Sequence, residues 1–197
     1  MPRRLGPRAA VTGGLLVVLA LPTAAVAGTL SHTDPAKDAQ KITDSGSSTT
    51  ITAAPDNETA DIVHLGATYG PRRLKETLRL RDLGPRWSLR ARITTATRRH
   101  FDVVLTHRPG PDRLTLTRGK AQTPIVCDGL VAAVDRPHHT ASVTVPADCL
   151  VSPPWVRIGT GIVARGIAKG VSFGDDALRR RGIAEADLTL SRKLHQT

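Results

Sequence analysis

The sequence predicts an all-β fold, an antiparallel, jelly-roll-like β-sandwich carrying one short C-terminal helix. Three observations predict it. From Ala60 onward, apolar and polar residues alternate in short runs, the period of a strand that buries one face. Turn residues rich in Gly and Pro divide these runs, which follow one another at about 10–14 residues. Helical periodicity is sparse, and neither an internal repeat nor a coiled-coil pattern is visible.

Ile62 to Tyr69 is closed by Gly70-Pro71, and Leu74 to Leu83 by Gly84-Pro85. Trp87 to Thr94 alternates most cleanly: Trp87, Leu89, Ala91 and Ile93 point one way, Ser88, Arg90, Arg92 and Thr94 the other. Phe101, Val103 and Leu105 mark the next strand, and Pro109-Gly110-Pro111-Asp112 turns the chain into Leu114 and Leu116. Further runs are Ile125–Cys127, Leu130–Val134, Ala141–Val145 and Trp155–Val163. Aromatic residues are few, so the core must rest on Leu, Val, Ile and Ala. Ala147 to Leu150 suits a single helical turn. Asp175 to Gly182 has acids at its start, arginines at its end and a stopping glycine, the charge order of a short helix. Gly28 to Thr59 is polar, with a linker-like Ser45 to Thr50, and reads as a flexible segment ahead of a folded domain over 60–197.

Residues 1–27 read as a cleavable signal peptide. Arg3, Arg4 and Arg8 precede an apolar stretch from Ala9 to Leu21, and Ala25-Val26-Ala27 supplies the small residues of a cleavage site. Gly13-Gly14 and Pro22 interrupt the run, which falls short of the ~20 apolar residues of a spanning helix. The expectation is export by the general secretory route, with no membrane span left after cleavage. Removing three arginines leaves 25 basic against 17 acidic residues, a net charge of +8. A positive exported protein is drawn to polyanions at a cell surface. Two cysteines in such a chain are most simply one disulfide, Cys127–Cys149, which would stabilise by about 3 kcal/mol.

Several blocks carry a resemblance. They are Cys127-Asp128-Gly129-Leu130, Val145-Pro146-Ala147-Asp148-Cys149-Leu150, Pro154-Trp155-Val156-Arg157-Ile158-Gly159 and Phe173-Gly174-Asp175-Asp176-Ala177. With Asp34-Pro35-Ala36-Lys37-Asp38 and Ala60-Asp61-Ile62, they resemble a family of small actinobacterial secreted proteins of unassigned function. That family is distantly similar to family 9 carbohydrate-binding modules and DOMON-like sugar or haem binders, which implies a β-sandwich. Lys37 stands where the family commonly has Gly, and a Ser/Thr-rich insertion separates Asp38 from Asp61.

Asp34, Asp38, Asp44, Asp56 and Asp61 form an acidic group able to offer a hard cation its oxygen ligands. Asp34, Asp38 and Asp61 are the metal candidates, with Ca²⁺ in a structural role as the one cofactor the pattern allows; their spacing matches no EF-hand. Arg79 and Arg81 share one strand face and Arg90 and Arg92 the next. A hairpin of those strands would gather four guanidinium groups into an anionic-ligand face, with Asp102 as a compensating acid. Trp155 is the candidate sugar-stacking platform, whereas Trp87 falls in register with the core. Gly170-Val171-Ser172-Phe173-Gly174 spells the nucleophile-elbow pattern, with Asp187 and His195 downstream, but too few residues follow for an α/β hydrolase. The seven histidines show no metal-ligand spacing. The expected function is a secreted, non-catalytic binding module for a cell-envelope or extracellular anionic polysaccharide, with no nucleic-acid partner. A small serine hydrolase using Ser172 and a purely structural surface protein are the alternatives.

Overall fold

Trp87, Leu89, Ala91, Ile93 and Thr95 are buried and the residues between them half-exposed, so the predicted alternation is present along the whole of that strand. The computed structural model describes residues 28–180, 182–183 and 187–196; the expected export signal, residues 1–27, lies outside the described residues. Fourteen strands are formed among them. They are β1 (Gly28–Thr33), β2 (Gln40–Asp44), β3 (Thr49–Ala53), β4 (Ile62–Tyr69), β5 (Arg73–Leu80), β6 (Trp87–Thr95) and β7 (His100–His107). Then come β8 (Arg113–Arg118), β9 (Thr123–Pro124), β10 (Val131–Asp135), β11 (Thr140–Pro146), β12 (Trp155–Arg165), β13 (Val171–Asp176) and β14 (Leu194–His195). One 3-10 turn, Ala147–Leu150, precedes β12.

All pairings are antiparallel. The small sheet runs β1-β4-β5-β11-β10, and the large one β3-β2-β13-β12-β6-β7-β8-β9 with β14 added along β12. The expected sandwich is therefore what forms. Its inner faces meet through Leu65, Leu74, Leu78 and Val143 from the small sheet and Leu89, Ile93, Leu105, Ile158 and Ile162 from the large one. Each fully buried side chain of this size contributes about 1.5–3 kcal/mol. Aliphatic residues thus carry the core, and Tyr69 and Phe101 are its largest fully buried side chains. Tyr69 keeps its hydroxyl satisfied by donating to the Pro153 carbonyl at 2.6 Å.

One charge sits inside that core. Glu76, on the inner face of β5, is 2% exposed and accepts a 2.7 Å hydrogen bond from Thr160 Oγ1 on β12. Its Oε1 has no partner, and burial pushes the carboxyl up to about 7. The pair joins the two sheets through a polar contact surrounded by apolar side chains.

Two expectations need correction. Residues 28–59 are not a tether: β1 pairs with β4 from Gly28 to Thr33, and β2 pairs with both β3 and β13. These strands carry few large apolar residues and are held by backbone ladders at the sheet edges, so alternation does not betray them. Nor do Asp175 and Asp176 start a helix. They end β13 and are fully buried, with a turn following. The acids that looked like helix-dipole partners are interior groups.

The Cys127–Cys149 disulfide is formed. It ties the segment after β9 to the 3-10 turn that leads into β12. Downstream, Gly159 and Gly161 let the C-terminal segment lie directly on β12. A Cβ at Gly161 would stand 2.7 Å from Leu188 Cδ2 and 2.8 Å from the Asp175 carbonyl oxygen. No helix among the described residues is long and apolar enough to cross a membrane.

Candidate metal centre

Between β1 and β2 the chain passes from the small sheet to the large one, and that crossing carries Asp34 and Asp38. Backbone contacts fix it at both ends. Asp34 N donates to the Val63 carbonyl at 3.2 Å, and Lys37 N donates to Asp61 Oδ2 at 2.8 Å. Asp61 stands immediately before β4, while Asp175 comes from the far end of β13. Asp175 Oδ2 accepts from Ile62 N at 2.9 Å and its Oδ1 from Asp176 N at 2.8 Å, so this side chain clasps the small sheet to the large one. Three segments from two sheets converge on one acidic pocket.

Asp34, Asp38 and Asp175 each offer a carboxylate oxygen, and these oxygens all lie within 4.8 Å of one another. Asp34 is 3% exposed, yet neither of its carboxylate oxygens has a hydrogen-bond partner. Both oxygens of the half-buried Asp38 and Oδ1 of the buried Asp61 are in the same condition. Leaving such groups dry and unpaired is costly. Burial pushes the Asp34 carboxyl up to about 9, and the charges of Asp175, Asp38, Asp176 and Asp61 add to the rise. Burial likewise raises Asp175 to about 7 and pushes Asp38 upward. Counter-charges reach only the flanks. Arg81 Nη1 lies 2.9 Å from Asp61 Oδ2, and Arg179 Nε lies 3.5 Å from Asp176 Oδ2. Among the described residues no cation pairs with Asp34, Asp38 or Asp175.

An oxygen-only donor set with unspent negative charge is what a hard divalent cation requires. Two oxygens on one Ca²⁺ are at most about 5 Å apart, a limit the three carboxylates meet. Asp61 Oδ1 is a further oxygen nearby. Asp176 is spoken for: its Oδ2 accepts from Thr189 N at 2.7 Å and its Oδ1 from Leu178 N at 3.2 Å.

Of the acids singled out in the sequence, Asp34 and Asp38 come together and Asp61 stands beside them. Asp44 and Asp56 do not join. Asp44 is exposed at the end of β2, where its Oδ1 accepts from Gly46 N at 2.7 Å, and Asp56 is exposed in a turn. Asp175 escaped sequence reasoning because two acids ahead of an arginine run imitate a helix start. The signal that pointed to it was the strand-like Val171-Ser172-Phe173 running directly into Gly174 and Asp175.

The arginine face does not form. β5 pairs with β4 and β11 in the small sheet, whereas β6 pairs with β7 and β12 in the large one, so Arg79 and Arg81 are separated from Arg90 and Arg92 by the sandwich itself. The Gly84-Pro85 link is a crossover between sheets, not a hairpin turn. Arg81 is engaged with Asp61 and Glu58. Arg90 and Arg92 do share a face, and both bond to Asp102 across β7, at 2.8 Å and 3.2 Å. Burial alone would raise the Asp102 carboxyl, but the two guanidinium groups hold it below the usual range. Trp155 is half-buried with Lys193 Nζ 4.4 Å from its ring centroid, so one ring face already carries a cation. Ser172 pairs with Arg165 at one end of β12 and His195 with Trp155 at the other, roughly 33 Å apart along the strand. Ser172 lies on an antiparallel strand, not at a strand-to-helix elbow.

Comparison with known proteins finds no matching family model, no similar curated protein and no similar solved structure, so the reading of this pocket rests on its own geometry.

Proposed function

We propose that this chain is an exported, non-catalytic binding module of the cell exterior, and that Ca²⁺ held by Asp34, Asp38 and Asp175 completes its fold. The observation that carries the reading is Asp34, a buried carboxylate with two unpartnered oxygens facing two further acids. The ion would neutralise those charges and pin the β1–β2 crossing to β13, joining both sheets at that point. The layout of residues 1–27 supports export. So does the disulfide, since such bonds persist outside reducing compartments. The distance between Ser172 and His195 speaks against a hydrolase.

The test is isothermal titration calorimetry on EDTA-treated protein lacking residues 1–27, with CaCl₂ and MgCl₂ as separate titrants. Saturable uptake of one Ca²⁺, absent from Asp34→Asn, is the expected result. No uptake at about 1 mM Ca²⁺, the weak end of extracellular sites, overturns the reading. Hydrolysis of generic esters by the wild type that disappears in Ser172→Ala would move the protein to the hydrolase class. Sequencing the N-terminus of protein recovered from culture medium tests export, and Gly28 is the expected first residue.

A further inference from the structure

Where β12 turns into β13, the large sheet has an open cleft of about 1010 Å³. Arg86, Arg108, Arg165 and Lys169 wall it, and Asp44 is its one acid. All four cations are exposed, and among the described residues none takes part in an ion pair. A second depression of about 370 Å³ adjoins the cleft, since Thr106 lines both. It adds Arg90 and Arg113 along the outer face of β6, β7 and β8, and the charge of its acid, Asp102, is already met by Arg90 and Arg92. The two together form a positive path across the outside of the sheet.

Hydroxyl groups line that path between the charges: Ser88, Thr106 and Ser172 in the cleft, Thr115 and Thr117 in the depression. The cleft floor is packed and hydrogen-bonded. Trp87 is 3% exposed and stacks on His107 with ring centroids 5.0 Å apart. Arg136 Nη2 donates to His107 Nε2, which assigns the ring proton to Nδ1, and Nδ1 donates to Asp112 Oδ1 at 2.6 Å. The imidazole is therefore fixed from both sides. The indole Nε1 of Trp87 is buried without an acceptor.

Resting on the reading of the chain as an exterior binding module, we infer that this path binds an acidic glycan, a hydroxyl-rich chain with repeated carboxylate or phosphodiester groups. The unpaired cations take the repeated charges, and the interleaved Ser and Thr residues exchange hydrogen bonds with sugar hydroxyls. An elongated ligand fits better than a compact one because the two depressions adjoin at Thr106. Nucleic acid fits less well. Single strands are held by exposed aromatic faces on which bases stack, and the Trp87 ring is covered. Of the four arginines gathered by strand spacing only Arg90 lines this path, and it is paired with Asp102; the unpaired cations are others. They are turn and strand-end residues that the fold brings to one rim.

The test is affinity electrophoresis of the Ca²⁺-loaded domain, with free Ca²⁺ removed, through gels containing polygalacturonate, poly(glycerol phosphate) or neutral dextran. Retardation by one or both polyanions and not by dextran is expected. It should weaken at least tenfold between about 50 and about 300 mM NaCl as screening grows. The polymer that retards more strongly decides between carboxylate and phosphodiester. Arg165→Glu/Lys169→Glu should weaken binding by about tenfold or more, whereas Arg73→Glu/Arg79→Glu, the same charge change on the exposed face of the small sheet, should alter it less than about twofold. Equal loss in both variants would mean net charge alone, and it overturns the proposal, as does equal retardation by dextran or tighter binding of duplex DNA. Circular dichroism of each variant confirms folding. Ca²⁺ uptake measured on the same samples keeps failure of the glycan site distinct from failure of the metal site.

Discussion

Asp34 and Asp175 come from opposite ends of the described chain, yet each brings a carboxylate oxygen within 4.8 Å of the other's. Burial, with repulsion from Asp175 and its neighbours, raises the Asp34 carboxyl to about 9, so the metal-free fold holds it protonated near neutral pH at a cost, and a cation that displaces the proton turns the cluster into a link between strands. Asp34→Asn keeps the shape and removes the group that must take up a proton on folding. It should raise the melting temperature of EDTA-treated protein and abolish the response to Ca²⁺. For the wild type, Ca²⁺ at a hundredfold excess over Kd should contribute about 2.7 kcal/mol, a rise of about 5–10 °C for a domain of this size. Thermal melts with and without Ca²⁺ check both points. A variant that still responds, or a wild type that never does, sinks the assignment.

Glu76 predicts a pH dependence of stability independent of the metal. Its folded-state pKa, about 7, lies above the unfolded value of 4.5, so the native state holds the proton more tightly. Below the unfolded pKa both states are protonated, and the native fold bears no penalty from this group. As pH rises from there towards 7, the unfolded state ionises first and stability falls by about 1.4 kcal/mol per pH unit. The accumulated loss is roughly 3 kcal/mol and is constant above the window. Glu76→Gln keeps an acceptor for Thr160 and cannot ionise. Urea unfolding stability at about pH 4 and about pH 8 (about one unit or less beyond the ends of the window) should differ by roughly 3 kcal/mol more for the wild type than for the variant, because the other raised carboxyls, Asp34 and Asp175, titrate alike in both. Equal slopes in both would show that Glu76 does not titrate in this range.

How much of this was legible in the sequence varies with what holds each element. The interior strands announced themselves because each buries one face: β6 and β7 are read directly from Trp87, Leu89, Ile93, Phe101 and Leu105. The strands β1, β2 and β3, at a sheet edge or next to one, have one large apolar residue apiece, Leu30, Ile42 and Ile51, and are held by ladders that leave no mark on composition. The carboxylate pocket was half legible. Asp34, Asp38 and Asp61 stood out as acids in turns, but proximity to Asp175 depends on β13 lying between β2 and β12. Sheet order of that kind has no local signature. The paired aspartates also competed with a local helix pattern, the conflict expected where function overrides propensity.

Gly161 tests whether the C-terminal segment supports the pocket. An alanine Cβ would meet the Leu188 side chain at 2.7 Å and, less avoidably, the backbone carbonyl of Asp175 at 2.8 Å. Leu188 can swing aside, but Asp175 can yield only by shifting the strand that carries the metal-facing carboxylate. Gly161→Ala should therefore cost about 1–3 kcal/mol and weaken Ca²⁺ uptake severalfold. Gly70→Ala is the control, because its Cβ meets nothing within 4 Å and should change stability by less than about 0.5 kcal/mol. Stability lost with Ca²⁺ affinity intact would confine Gly161 to a packing role.

Lys37 occupies a position that suits glycine. Its φ is 71°, in the left-handed region, and the residue sits in the crossing between Asp34 and Asp38 with its N–H on Asp61 Oδ2. The conformation is what aims that N–H at the carboxylate, so the backbone bears the strain in order to hold Asp61. A side chain with a Cβ costs about 1–2 kcal/mol there, from which the greater flexibility of unfolded glycine subtracts up to about 1 kcal/mol. Lys37→Gly should therefore stabilise the protein by roughly 0.5–1 kcal/mol, and Lys37→Ala, which keeps the Cβ and loses the same charge, should not. Comparing the two by chemical denaturation separates backbone strain from electrostatics. If both variants stabilise equally, the ammonium group and not the dihedral angle is the source; if neither does, the left-handed turn at Lys37 is not strained.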